Sequence, residues 1–217
     1  MSASLRGSTA DEIPLIRLGS PLDYFYEVGF EKLAKPPFRL QVEIGNTDRM
    51  IDELSKGKLD AVIATQPISR DDIDCWKIDQ EEFCLVSPPD VILPKKPKKA
   101  SDQLNEVRRF LLSQHWISYS IELPIIRRFW HIAFNQRPRI EPRMTIASLQ
   151  SIRKAVELGW GVSVLPRYLC QQSLDQGMIK ILWKPKASVV NDLTIATRKV
   201  DRNKLEIEQL VSLMKKH

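Results

Sequence analysis

Hydroxyl-bearing residues recur in this 217-residue chain where a short apolar run gives way to a helical pattern: at Ser20, Thr47, Ser120 and Ser148, with Thr65-Gln66 closing a further run. A helix N-terminus presents unpaired N–H groups and a partial positive charge, and a hydroxyl beside it both donates and accepts. Small organic anions suit such positions. Helix capping also selects Ser and Thr there, so each position carries a purely local reading as well.

Groups for covalent or metal chemistry are sparse. The three histidines, His115, His131 and His217, stand apart from one another and from cysteine, so no metal is expected and each reads as a structural or surface residue. No nucleophile elbow, phosphate-cradling loop or dinucleotide fingerprint occurs, and no cofactor is expected. Glu81 and Glu82 are neighbours in an extended run and point to opposite faces, which keeps them from converging on one substrate atom. An enzyme is not expected. Arg49, Arg70 and Arg143 are candidate partners for a ligand carboxylate, with surface placement as the commoner fate of arginine. Cys75, Cys84 and Cys170 match no metal or redox spacing and read as buried, reduced thiols.

The composition, 43% hydrophobic and 28% charged, is that of a globular protein with a packed core. The net charge of +6 owes much to Lys95, Lys96, Lys98, Lys99 and the terminal Lys215, Lys216 and His217, which read as solvated surface rather than a nucleic-acid groove. Residues 1–12 read as a flexible lead-in, without the apolar core of a signal peptide, and no run is long enough to span a membrane. The expected setting is cytoplasmic.

The elements that must position the hydroxyls alternate between strand and helix. Leu15 to Leu18 is a strand, followed by a helix with Leu22, Phe25, Tyr26, Gly29, Phe30 and Leu33 on one face. A strand through Leu40, Val42 and Ile44 precedes a helix capped by Thr47 and carrying Met50, Ile51 and Leu54. Leu59 to Thr65 is apolar enough to be central in a parallel sheet. Two strand-like runs, Cys75–Asp79 and Phe83–Val86, lead to a Pro/Lys-rich boundary. A second series follows: a helix with Leu104, Val107 and Leu111 after a possible cap at Ser101, then a strand at Trp116–Ser120. Next come a helix from Pro124 with Ile125, Phe129, Ile132 and Ala133 on one face, and a strand at Ile140–Ile146 interrupted by Pro142. A helix capped by Ser148, a buried strand ending at Pro166, a short helix over 166–173, strands at Ile179–Leu182 and Leu193–Thr197, and a final helix complete the pattern. That helix carries Ile207, Leu210, Val211 and Met214 on one face. Alternation of this kind predicts an α/β protein.

Two runs resemble those of a known family. Leu54-Ser55-Lys56-Gly57-Lys58-Leu59-Asp60-Ala61-Val62-Ile63, after Gly45-Asn46-Thr47, is similar to the L-x-x-G-x-L-D-L-A-I run of LysR-type transcriptional regulators. Ala155-Val156-Glu157-Leu158-Gly159-Trp160-Gly161-Val162-Ser163-Val164-Leu165-Pro166 is similar to their V-A-x-G-x-G-I-A-L-L-P. The resemblance covers residues 15–217 and is to the effector-binding domain, which has the type 2 periplasmic-binding-protein fold. It implies two Rossmann-like lobes, residues 13–88 with 190–217 and residues 89–189, joined by two crossover strands near Phe83–Ser87 and Val190–Thr197. It further implies an effector held between the lobes and assembly into homodimers or homotetramers through sheet-edge helices. By position, the effector contacts fall on Ser20, Pro21, Asn46, Thr47, Thr65 and Gln66 in the first lobe, and on Tyr119, Ser120, Ser148 and Gly161 in the second. The family's winged helix-turn-helix has no counterpart in these residues, so DNA is expected as a partner only through such a missing module.

The expected function is therefore sensing of a small, anionic effector, with lobe closure shifting an equilibrium felt by an attached DNA-binding module. The competing readings are a transporter's solute-binding protein and an enzyme on the same two-lobed fold.

Overall fold

A computed structural model of the chain describes residues 13–94 and 100–215. The lead-in at 1–12, the basic run at Lys95, Lys96, Lys98 and Lys99, the side-chain cap expected of Ser101, and Lys216 and His217 lie outside the described residues. The chain divides into two compact units, one ending at Asp79 and resuming at Asp192, the other running from Gln80 to Asn191.

The first unit is built on parallel strands β1 (Leu15–Ser20), β2 (Arg39–Ile44) and β3 (Ala61–Ala64). β1 lies between the other two, with Ser20 opposite Ile44 and Gly19 opposite Val62. β3 is fully buried, as its apolar run requires, but its other neighbour is antiparallel: the later part of β9 (Val189–Arg198) pairs with it, Ala64 opposite Thr194. The expectation of an all-parallel setting is thus corrected. A buried apolar run identifies a central strand without fixing the direction of its partners.

The helix after β1 also departs from its expected face. α1 (Leu22–Tyr24) and α2 (Phe30–Lys32) flank a π-helical turn, Phe25–Gly29. A π turn adds a residue to the helical repeat and so breaks the 3.6 period. Tyr24, Phe25 and Leu33 are buried, whereas Leu22, Tyr26 and Phe30 are exposed. Gly29 accommodates the turn, because a Cβ there would stand 2.7 Å from the Phe25 ring.

α3 (Thr47–Ser55) buries Met50, Ile51 and Leu54 as the stripe predicts, each contributing roughly 1.5–3 kcal/mol by area. Its cap is Asn46, whose side chain accepts from the Arg49 N–H at 3.0 Å; Thr47 is the first helical residue instead. α8 (Leu205–Lys215) buries Ile207, Leu210, Val211 and Met214, as its spacing demands.

In the second unit the runs at Cys75 and Phe83 are not two strands but one, β4 (Ile73–Ser87), which begins in the first unit. β4 pairs antiparallel with β7 (Ser163–Pro166) and with β8 (Lys180–Trp183). β5 and β6 are shorter than expected, Ile117–Ser118 and Met144–Thr145, because Pro142 cannot donate to a ladder and the flanking residues form turns. They run parallel, and Trp116 bridges to Val162 ahead of β7.

Two cores pack around these strands. One holds Val107 and Leu111 of α4 (Ala100–Leu112), Phe129, Trp130 and Phe134 of α5 (Pro124–Phe134), and Trp116, with Trp183 packed against it. Its rings interlock: Trp116 meets Trp130 edge-on at 5.6 Å, and Phe134 stacks on Trp183 at 5.4 Å. The other core holds Ile152, Ala155 and Val156 of α6 (Leu149–Glu157) and Leu169 and Cys170 of α7 (Arg167–Asp175). The buried face of α5 is Ile126, Phe129, Trp130 and Phe134, one position round from the expected Ile125, Phe129, Ile132 and Ala133. Cys84 and Cys170 are buried free thiols, but Cys75 is exposed. No described helix is long and apolar enough to cross a membrane.

Candidate functional site

In the first unit the carboxyl ends of the three parallel strands come together. The Gly45 N–H donates to the Ser20 carbonyl at 3.2 Å, joining the ends of β1 and β2, and Gln66 beyond β3 donates to Asp48 of α3 at 2.5 Å. Ser20, Pro21, Asn46, Thr47, Thr65 and Gln66 therefore share one sheet edge. Ser20 and Thr47 are buried, and the Ser20 hydroxyl donates to its neighbour's carbonyl at 3.2 Å. Asn46 and Gln66 are the exposed members. β9 enters the unit at this same edge, since Thr194 opposes Ala64.

The second unit gathers Tyr119, Ser120 and Ser148 in the same way. β5 and β6 end side by side, with the Ile146 N–H donating to the Ser118 carbonyl at 3.0 Å. Ser148 caps α6 as expected, accepting from the Ser151 N–H at 3.2 Å, and the first turn of α6 holds no acidic residue. Tyr119 is 40% exposed, so its phenol faces solvent. A hydrogen bond from Ser120 holds the Glu122 carboxyl below its ordinary range. Leu123, which follows, is in the left-handed region (φ 55°, ψ 45°), a conformation that costs a branched residue about 1–2 kcal/mol.

Gly161 is not brought to that edge. It precedes Val162, which pairs with Trp116 at the opposite, amino end of β5 and β7. Its missing side chain has a different use: a Cβ would stand 2.1 Å from the His115 carbonyl oxygen, which accepts from the Val162 N–H at 2.8 Å. Of the three arginines, Arg49 pairs with Glu43 and Glu53, and Arg70 with Asp52 and Asp72. Arg143 is exposed and makes no ion pair among the described residues. Arg49 and Arg70 are thus already engaged by carboxylates.

Glu81 is more than one of two diverging carboxylates. It is buried at the edge of β4 nearest the carboxyl end of β7, accepting from Asn191 Nδ2 at 3.0 Å and from the Tyr168 hydroxyl at 3.4 Å. Glu82 points the other way, toward Arg167 at 4.0 Å, so the two carboxylates do diverge. Nothing local in the sequence marks Glu81, because its partners lie far along the chain. Among the described residues no group of three or more His, Cys, Asp or Glu is placed to hold a metal ion.

Residues 33–217 match the family model described as the LysR substrate binding domain. The chain belongs to this family. The LysR domain is 26% identical over 155 residues to the HTH-type transcriptional regulator AbaB of Streptomyces antibioticus, matching 67% of this chain and 48% of that protein. It therefore spans about half the length of that curated relative. Its fold is similar to the reduced form of the OxyR2 regulatory domain from Vibrio vulnificus, at a TM-score of 0.73 and 16% identity, covering 94% of this chain and 95% of that one. It is also similar to Vibrio fischeri DarR in complex with DNA, at a TM-score of 0.72 and 16% identity, covering 94% of this chain and 68% of that one. The LysR domain accordingly has the two-lobed, periplasmic-binding-protein-like fold and is an effector-sensing regulatory domain of the LysR type. Its homologues are transcriptional regulators rather than enzymes.

Proposed function

We propose that the LysR domain binds a small organic acid at the carboxyl edges of its parallel strands, performs no chemistry on it, and relays its presence to DNA-binding by the longer, oligomeric protein of which such domains are part. The observation that carries the reading is the N-terminus of α6, where a capping Ser148 and a first turn without acidic residues leave a favourable field for a carboxylate. Each unit's edge supplies its own contact set: Tyr119 and Ser120 beside Ser148 in the second, and Asn46, Thr65 and Gln66 in the first, with Pro21 in the turn after β1 and Ser20 and Thr47 buried. Gly161 is left out of both. Asp48 and Glu122 stand at the same edges and favour a ligand that also carries amino or hydroxyl donors.

The test is titration calorimetry of the chain against a panel of small carboxylic acids, with and without amino and hydroxyl groups. At least one donor-bearing acid should bind, and Ser148→Ala should weaken it several-fold, as expected for loss of about 1 kcal/mol, while Ser113→Ala should not. Binding confined to uncharged compounds, or indifferent to Ser148→Ala, would overturn the anionic reading.

A further inference from the structure

Residues 116–121 and 144–152, the two segments that meet at the carboxyl edge of the second unit, carry no charged side chain. The Ile146 N–H donates to the Ser118 carbonyl at 3.0 Å and the Ser148 N–H to the Ile146 carbonyl at 2.8 Å, which sets Tyr119 beside the capped start of α6. Carbon is well represented at this edge. Ile121 is 74% exposed and Tyr119 40%, while Ile146 and Leu149, on either side of Ser148, are half-buried. The turn that carries Tyr119 and Ile121 is held in place. Its Ser120 carbonyl accepts from Ser118 Oγ at 2.8 Å and from the Leu123 N–H at 3.2 Å, and Leu123 is buried in the core. One apolar side chain of the turn thus goes inside, and two are kept in water.

We propose that Tyr119 and Ile121 set the class of acid that this domain senses: a monocarboxylate with a branched aliphatic or aromatic body. The assignment rests on the α6 edge being the seat of the effector's carboxylate, as read above. Ligand sites combine a few polar groups with a mostly apolar lining, and an exposed isoleucine sheds its water when a carbon surface covers it. A phenol ring beside it packs on planar or branched bodies alike. A second carboxylate finds no cation in either segment. It meets Glu122 instead, whose carboxyl the Ser120 hydrogen bond and then the Arg127 charge hold below its ordinary range. Dicarboxylates are therefore disfavoured.

The experiment titrates the 217-residue chain by calorimetry with matched α-hydroxy and α-amino acids that differ only in body. The pairs are lactate and alanine, hydroxyisocaproate and leucine, phenyllactate and phenylalanine, and malate and aspartate. Weak members are measured by displacement of the tightest one. In the series that binds, affinity should rise about tenfold or more from the methyl body to the branched or aromatic one, and the dicarboxylate should not exceed the methyl acid. Ile121→Ser and Tyr119→Ser should each remove about threefold or more of that rise and leave the methyl acid within about twofold of wild type. Both positions are exposed, so neither change opens the core. Ile92→Ser is the control: Ile92 is 77% exposed and follows the end of β4, which lies at the amino end of β7, and its loss should leave the series unchanged. Equal affinity for all bodies, tightest binding of the dicarboxylate, or a rise that survives both serine variants overturns the proposal and leaves the effector reading standing. Binding of none of these acids removes both. A fall in oligomeric state of the serine variants with an unchanged affinity series also overturns the proposal, and assigns the two side chains to a second copy of the chain.

Discussion

The Asp60 carboxylate accepts from Arg17 Nε at 2.9 Å and Arg17 Nη2 at 2.7 Å, takes the Arg17 backbone N–H at 2.9 Å, and lies 3.8 Å from Arg198. Burial pushes this carboxyl up, but the two guanidinium groups and the backbone donor outweigh it and hold it below its ordinary value of 3.8. A depressed folded pKa stabilises the fold above the unfolded value and loses that contribution as pH falls through the folded one. Asp60→Asn should therefore cost about 1–3 kcal/mol at neutral pH, and the gap to wild type should close in urea melts below about pH 4. The Asp60 position is readable as part of the family run at 54–63, but its partners are not, since Arg17 and Arg198 are distant in sequence. Gly161 shows the same limit from the other side. Its run identifies the family, yet only the fold reveals that the glycine admits the His115 carbonyl. Gly161→Ala should destabilise the domain by roughly 3 kcal/mol in the same melts while leaving effector affinity in the surviving folded fraction unchanged.

At the scale of elements, the sequence carried the order of strands and helices and lost their phase. α3 and α8 keep the 3.6 period and bury the residues their stripes name. The helix after β1 does not, because a π turn is a property of packing around Phe25 and Gly29 that no periodicity announces. α5 rotates by one position, since Trp130 and Phe134 bury more surface than Ile132 and Ala133. Capping was legible as a place but not always as a residue: Ser148 caps α6 as read, whereas Asn46 rather than Thr47 caps α3. Asn46→Ala and Ser148→Ala should each cost about 1 kcal/mol, measured by chemical denaturation. A loss of about 1 kcal/mol in Thr47→Ala with none in Asn46→Ala would reverse the assignment.

The whole molecule is assembled out of sequence order. The first unit takes its initial strands from the N-terminal part of the chain and β9 and α8 from the C-terminal part, while the second is a single continuous stretch. The composition shift after Pro88 marks the Pro/Lys-rich segment, whereas the chain passes between units inside β4, where no local signal exists. A chain ended at Asn191 would strip the first unit of Leu193, Ile195, Ala196, Ile207, Leu210 and Met214, all fully or nearly fully buried. Thermal melts of that truncation should show a single transition from the second unit, and hydrogen exchange should find β1, β2 and β3 unprotected.

The interlocked indoles also give the protein a built-in optical label. Trp116, Trp130, Trp160 and Trp183 all belong to the second unit, and Trp76 alone to the first. Exchanging Trp76 for phenylalanine leaves a tryptophan emission, excited selectively over tyrosine, to which only residues 80–191 contribute. Quenching or a wavelength shift in that variant is then assignable to one half of the chain, with no dye attached.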